Sequence, residues 1–473
     1  MHRRQLLQTL CGGAVAALAP AQPKKPNFII FLADDLGYGD IGCFGSKDVP
    51  TPNIDSIARN GIKCTSGYVS AAVCSPSRAA LMTGRYQQRF GFEFNTGPAA
   101  RDMKLRLGLP LTEKTLPQYL KTAGYTTGMV GKWHLGGNPE FQPPRRGFDE
   151  FFGFHHGANS YLTQATPYAR FTETEDASGA LAKPPVKRAQ PVFRGETPVE
   201  ENAYLTEAFA REATAFLDMH HDKPFFLYMP FNAVHTPLHA TTKYLDRVAS
   251  IQDERHRTLA AMTIAMDDAI GAVLGKVKQY GLERDTLIFF FSDNGCPTYT
   301  RAGTNGPLSG SKITYFEGGI RVPFLVQWPG RLKAGQTYAQ PIVSRDVLPT
   351  MLTAAGVPLP SDRELDGVDM LPYLDGRKKG SAHEWLFWRA GRNMAARHGD
   401  WKLLVLHNGE IIHLYNLAKD IGERTDVAQQ NPAVVKRMRA ELEKWTASLQ
   451  KPKWEPRSQP KVPVNGEEIT WDL

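Results

Sequence analysis

A run of seven β-prone residues, Asn27–Ala33 (NFIIFLA), stops abruptly at Asp34-Asp35-Leu36-Gly37. Beyond Asn27 no polar residue interrupts it, so it does not read as a strand with one wet face. Continuous apolar runs of this length belong to strands covered on both sides, as in parallel sheets flanked by helices. Similar runs occur at residues 128–131, 224–231, 286–292 and 322–328. Between them lie helical patterns, the longest over 256–280, where Met262, Ala265, Met266, Ala269 and Val273 recur at helical spacing. Thr51-Pro52 ahead of residues 53–60, with Gly61 behind them, supplies helix start and stop signals in the right order. Strands alternating with helices predict an α/β fold built on a large, mostly parallel sheet sandwiched by helices.

At 473 residues the chain exceeds one compact domain, so a large domain and a smaller one are expected. The texture changes after residue 376. Residues 385–388, 394–397, 401–406 and 411–415 read as short strands and 432–449 as a helix, which predicts a small antiparallel C-terminal sheet with one helix on it. The expected division is a signal peptide at 1–21, a catalytic α/β domain at 22–376 and a C-terminal antiparallel-sheet subdomain at 377–473. Residues 166–198 are rich in Ala, Pro and Lys, show little periodicity, and read as a long surface insertion.

The first residues have the layout of a cleavable export signal: His2-Arg3-Arg4, an apolar stretch at 6–18, then Ala19-Pro20-Ala21 as a small-x-small cleavage site. Arg3-Arg4 ahead of Leu6-Leu7 resembles a twin-arginine signal, with an ordinary secretory signal as the alternative. Thr9-Leu10 before Cys11 are not the small pair that a lipid-attachment site prefers. No later segment reaches the roughly 18 consecutive apolar residues of a membrane span. A periplasmic or secreted protein without a membrane span is therefore expected. Cys43, Cys64, Cys74 and Cys296 remain, too few for a disulfide framework, with at most one bridge if Cys74 is diverted to chemistry. The formal charge of +8 suits an anionic partner. Nucleic acid is not expected, because no Lys/Arg run interleaved with aromatics is present.

Several residues offer chemistry. Asp34, Asp35, Asp293 and Asn294 are oxygen donors at the ends of two expected strands, and hard donors of this kind favour calcium or magnesium over zinc. Lys132 and His134 stand two residues apart, so in an extended segment both side chains share one face. His235 follows an apolar run; its ordinary pKa lies near neutrality, and modest surroundings can hold the protonated form that proton donation needs. Lys312 and Arg78 add positive charge, the arginine being one that cannot be titrated away. Taken singly, each has a bland reading: a turn, a solvated cation, a partly buried ring. Their joint occurrence carries the weight. His239, four residues beyond His235, reads best as a surface histidine.

Cys74-Ser75-Pro76-Ser77-Arg78, continuing to Thr83-Gly84-Arg85, resembles the C-x-[PA]-x-R…T-G-R signature of the formylglycine-dependent (type I) sulfatases of the alkaline phosphatase superfamily, which include arylsulfatase A and N-acetylgalactosamine-6-sulfatase. The resemblance extends to Gly131-Lys132-Trp133-His134-Leu135-Gly136, to residues 230–237 and to residues 305–321, and spans 27 to about 416. It implies an alkaline phosphatase-like fold and a sulfuric ester hydrolase. It also implies that a maturation enzyme oxidises Cys74 to formylglycine (3-oxoalanine), whose hydrate attacks sulfur. By the same resemblance Asp34, Asp35, Cys74, Asp293 and Asn294 hold Ca2+ (or Mg2+), Lys132, His235 and Lys312 bind the substrate, and Arg78 steadies the nucleophile. His134 would orient or deprotonate the hydrate, and His235 would protonate the leaving oxygen. Ser311-Lys312 stands where many members have Gly-Lys, a departure in local loop geometry. The expected substrate is a sulfated carbohydrate or an aryl sulfate, with specificity residing in 86–109, 154–198 and loops around Arg397 and His398. The alternatives are a phosphonate monoester or phosphodiester hydrolase on the same scaffold, and a catalytically silent carbohydrate-binding protein if Cys74 is not matured.

Overall fold

The computed structural model describes residues 25–166, 169–171 and 188–473; the export-signal expectation (1–21) and the centre of the expected insertion lie outside the described residues. Ten strands form one sheet in the order Gln336–Tyr338, Ile62–Cys64, Phe324–Gln327, Thr286–Ser292, Asn27–Ala33, Phe225–Pro230, Thr126–Lys132, Glu150–Phe154, Val192–Arg194 and Thr197–Val199. The five central strands, from Thr286–Ser292 to Glu150–Phe154, run parallel. Their outer neighbours Phe324–Gln327 and Val192–Arg194 are antiparallel, so the sheet is mixed rather than purely parallel.

The pleat explains why the central strand is apolar throughout. Phe28, Ile30 and Leu32 enter one core cluster with Phe226, Tyr228 and Phe289, while Ile29, Phe31 and Ala33 enter another with Leu227, Phe290, Met262 and Ile270. Each large apolar side chain fully buried in this way contributes about 1.5–3 kcal/mol before the entropy of ordering it is charged. The helix Glu254–Gln279 covers the second face. Its start is capped by Asp253, whose side chain accepts from the His256 N–H. By length and composition it could cross a membrane, but 72% of its apolar window is buried inside the fold, which makes it a core helix.

The C-terminal sheet is antiparallel, in the order Trp385–Ala390, Asn393–His398, Trp401–Leu406, Ile411–Asn416. Met438, Leu442 and Trp445 of the helix Pro432–Ala447 pack on its Ala396, Leu403, Val405 and Leu414. A further hairpin, Lys461–Val464 with Glu467–Thr470, was not anticipated. A buried polar knot ties the sheet to the larger domain: Lys402 Nζ lies 2.9 Å from Glu317 Oε1 and 2.8 Å from Glu423 Oε1, and the Tyr68 hydroxyl donates to Glu317 Oε2.

Two expectations are corrected. His239 is not a surface residue; it is fully buried on a short strand, His239–Thr241, paired with Ala169–Phe171 and set edge-on to the Tyr161 ring. The strand expected over 394–397 is present as Asn393–His398, with Arg397 buried against the Tyr68 hydroxyl. The segment carrying Lys132 and His134 is not extended throughout: the strand ends at Lys132, and His134 has φ 60, so the simple pleat rule fails there. Cys43, Cys64, Cys74 and Cys296 are all free thiols.

Candidate active site

Parallel pairing brings the first carboxylates together. Ala33 aligns with Ser292, so Asp34-Asp35 and Asp293-Asn294 leave the carboxyl edge of the sheet side by side, and the Asp293 N–H donates to the Ala33 carbonyl at 3.0 Å. Strand Thr126–Lys132 delivers Lys132 to the same edge, and the loop after Phe225–Pro230 delivers His235. The helix Cys74–Thr83 begins at this edge, ends on Gly84 in the left-handed conformation (φ 68), and carries Cys74 at its first turn with Arg78 one turn on.

The anticipated side chains converge, apart from His134, whose main chain rather than its ring makes the contact with the cluster. Cys74 Sγ lies 3.4 Å from Asp34 Oδ1 and 3.3 Å from Lys312 Nζ. Lys132 Nζ is 2.5 Å from Asp34 Oδ2, and Lys312 Nζ is 2.7 Å from Asp35 Oδ1. Arg78 donates from Nε to Asp293 Oδ2 at 2.9 Å and from Nη1 to the Lys132 carbonyl at 2.7 Å. His235 Nε2 is 3.6 Å from Asp35 Oδ2, while its Nδ1 bonds the Thr236 carbonyl at 2.6 Å. The Ser75 hydroxyl donates to the His134 carbonyl at 2.5 Å, tying the nucleophile helix to the Lys132–His134 turn.

Burial alone would raise the Asp34 carboxyl, but Lys132, His235 and Arg78 outweigh it and hold it below the usual range; Lys312 and His235 do the same for Asp35. Burial, Lys132 and Arg78 push His134 well below its ordinary value, leaving a neutral imidazole whose Nδ1 is buried without a partner. Burial and Lys312 also lower His235, against the pull of Asp35 and Asp34. The surroundings therefore do not store a proton on His235, contrary to the expectation that they would hold the protonated form. Burial pushes the Cys74 thiol up, with Asp34 adding to the effect, so the unmodified side chain stays a thiol near neutrality and is a poor nucleophile.

The donor set fits a hard divalent cation. Ligand atoms of Asp34, Asp35, Cys74 and His235 all lie within 4.8 Å of one another. The Asn294 amide donates from Nδ2 to Asp35 Oδ1 at 2.6 Å, and its Oδ1 is buried with no partner, an oxygen left free for a cation. Asp293 turns toward Arg78 with one oxygen and accepts the Asp35 N–H with the other. Without a cation, the carboxylates of Asp34, Asp35 and Asp293 are balanced by Arg78, Lys132 and Lys312. A divalent cation would make the site net positive, as an anionic ester requires.

Sequence reasoning missed residues around this set. The Tyr161 hydroxyl bonds the carbonyls of Asn232 and His235, 2.8 Å to the latter, and so fixes the histidine loop from beneath. Tyr299, 37% exposed, brings its hydroxyl within electrostatic reach of Lys312, Asp35 and Cys74. Neither sits in a recognisable spacing; only the position of Tyr299, six residues past Asp293, is a signal.

A buried cysteine flanked by carboxylates and lysines at the carboxyl edge of a parallel sheet suits the binding of an anionic ester. A sulfatase family model matches residues 26–357, and a model described as N-sulphoglucosamine sulphohydrolase, C-terminal, matches residues 311–448. The chain is 36% identical over 416 residues to N-acetylgalactosamine-6-sulfatase of Mus musculus, covering 84% of this chain and 75% of that protein. It is 36% identical over 423 residues to arylsulfatase A of Bos taurus, covering 86% and 80%. Among solved structures, Ps i-CgsB superposes with a TM-score of 0.82 at 36% identity over 91% of this chain and 95% of that one, and has also been solved in complex with k-i-k-neocarrahexaose. The phosphonate monoester hydrolase of Agrobacterium radiobacter shares the fold at 19% identity, with a TM-score of 0.63 over 89% of this chain and 96% of that one. The chain belongs to the sulfatase family, and its activity is sulfuric ester hydrolysis.

Proposed function

We propose that the chain removes sulfate from a sulfated carbohydrate, using formylglycine made from Cys74 by a maturation enzyme and Ca2+ (or Mg2+) at the carboxylate cluster, after export to the periplasm or medium. The observation that carries the reading is the placement of Cys74 Sγ between Asp34 Oδ1 and Lys312 Nζ, with Lys132 on the far oxygen of the same aspartate. The saccharide is supported by the names of relatives acting on N-acetylgalactosamine 6-sulfate and by the carrageenan oligosaccharide bound to Ps i-CgsB.

Asp34, Asp35, Asn294 and position 74, with Asp293 behind them, would hold the cation, which supplies Lewis-acid polarisation, while formylglycine supplies a geminal diol as nucleophile. The protein's own residues do the remaining work. Lys132 and Lys312 exchange a carboxylate partner for the nonbridging sulfate oxygens, where charge is shared in the transition state. Arg78 stays fixed on Asp293 and holds the helix that carries position 74. His134, neutral, would accept a proton from the nucleophile. His235 donates to the Thr236 carbonyl from Nδ1, so Nε2 is the atom left to face the leaving oxygen; it takes up a proton from solvent before passing it on, and its lowered affinity makes that proton easy to surrender.

The test is sulfate release, measured by ion chromatography from a panel of defined sulfated saccharides, beside hydrolysis of an aryl sulfate and an aryl phosphate diester. Release from at least one saccharide, with aryl sulfate preferred over the phosphate diester, is expected. Faster turnover of the phosphate diester would overturn the reading.

A further inference from the structure

His155 and His156 follow the strand Glu150–Phe154 directly, at the same sheet edge as the site, and neither belongs to the residues given roles above. His155 stacks between Phe151 and Phe193 and belongs to the core. His156 keeps 13% side-chain exposure and sets Nδ1 2.8 Å from Oδ2 of the fully buried Asp102. The Thr96 hydroxyl donates to the same oxygen at 3.3 Å, so Oδ2 acts as an acceptor and the shared hydrogen sits on Nδ1. In the neutral ring Nε2 is then left with its lone pair, and no described residue bonds it. The backbone N–H of His156 donates to Gln190 Oε1 at 3.1 Å and pins the main chain, while the Nδ1–Asp102 bond orients the ring.

The ring lies beside the Lys132–His134 turn, with Nε2 2.6 Å from where a Cβ on Gly137 would fall. The His134 N–H donates to the His155 carbonyl at 2.9 Å, and a Cβ on Gly157 would fall 2.9 Å from Nε2 of His134. A Cβ on Gly137 would fall 2.3 Å from Cε1 of His156 and 3.2 Å from the sulfur of Met103. Glycine at both positions is what lets His134, His156 and Met103 crowd one rim, and Met103 is 43% exposed there. A fixed acceptor beside an exposed apolar side chain matches a pyranose, which offers hydroxyls at its edge and C–H groups on its face.

We propose that His156, oriented by Asp102, is a specificity-determining residue that accepts a hydrogen bond from a hydroxyl of the sugar ring carrying the scissile sulfate, with Met103 against the face of that ring. The proposal rests on the saccharide reading above. Its test compares kcat and KM of wild type, His156→Phe, His156→Gln and Asp102→Asn on N-acetylgalactosamine 6-sulfate, k-i-k-neocarrahexaose and 4-nitrophenyl sulfate. For each saccharide that wild type cleaves, His156→Phe and Asp102→Asn should lose at least about tenfold more kcat/KM than for 4-nitrophenyl sulfate, chiefly through KM, and His156→Gln, which keeps an acceptor near Nε2, should recover most of it. Equal losses on all esters, or none, would overturn the proposal alone. Wild type that cleaves 4-nitrophenyl sulfate but no saccharide would overturn the saccharide reading and the proposal with it.

Discussion

Replacing Lys402 by Met should destabilise the protein by about 3–5 kcal/mol, the usual cost of removing one partner from a buried ion pair. Lys402, Glu317 and Glu423 are all 0% exposed, and the ammonium sits between the two carboxylates at 2.9 and 2.8 Å. Glu317 keeps a second cation, Arg321, at 3.2 Å, but burial and Glu317 push the Glu423 carboxyl up and Lys402 is what holds it down. Deprived of Lys402, Glu423 will take a proton rather than stay charged, which caps the penalty. The sign follows: wild-type Glu423, pushed up to about 7, and the variant both retain this proton in mild acid, and only the variant's folded state keeps it as pH rises further, so the loss grows above about pH 7 and is smallest in mild acid. Near 2.1 cal/mol/K of unfolding entropy per residue, about 450 residues give about 1 kcal/mol/K, so the loss appears as a Tm fall of about 3–5 °C. Calorimetry at pH 5.5 and pH 8 reads both magnitude and sign. Lys402→Met combined with Glu423→Gln should recover at least about half of the loss, since no carboxylate is then left without a cation. A fall below about 1 °C at pH 8, or a double variant as unstable as the single one, would refute the reasoning.

Three further outcomes are expected. Cys74→Ser should keep the fold but stop after one sulfate transfer, because a serine ester has no second hydroxyl to expel sulfate; burst kinetics with multiple turnovers would contradict this. Neither ring nitrogen of His239 has a hydrogen-bond partner among the described residues, and burial with Arg188 lowers it to about 4, so the unfolded chain gains a proton first as pH falls below about 6.5. Between pH 7 and 5 this costs wild type about 2 kcal/mol, and the slope should flatten in His239→Phe when urea unfolding is compared at the two pH values. Chelation should abolish turnover and added Ca2+ restore it while far-ultraviolet circular dichroism stays unchanged; full activity in chelator would exclude the cation.

The sequence made the catalytic edge legible for a physical reason. A parallel strand must end somewhere, and Asp34-Asp35 and Asp293-Asn294 end two such strands that pair in register. The C-terminal sheet was legible through its short runs and its helix. What local patterns could not supply was the left-handed turn at His134, the burial of His239 by a neighbouring strand, and contacts across long separations. The Lys402–Glu317 pair and the His156–Asp102 pair join positions 85 and 54 residues apart, with no spacing rule to announce them. Residues 154–198 and 86–109 were nonetheless the stretches expected to govern specificity, and they contain His156 and Asp102.

The most direct measurement is the mass of the tryptic peptide that contains residue 74, taken from enzyme preparations whose specific activity is known. Turnover should scale with the fraction of that peptide lighter by about 18 mass units, the change from thiol to aldehyde. Fully active protein carrying only the unmodified thiol would contradict the central claim.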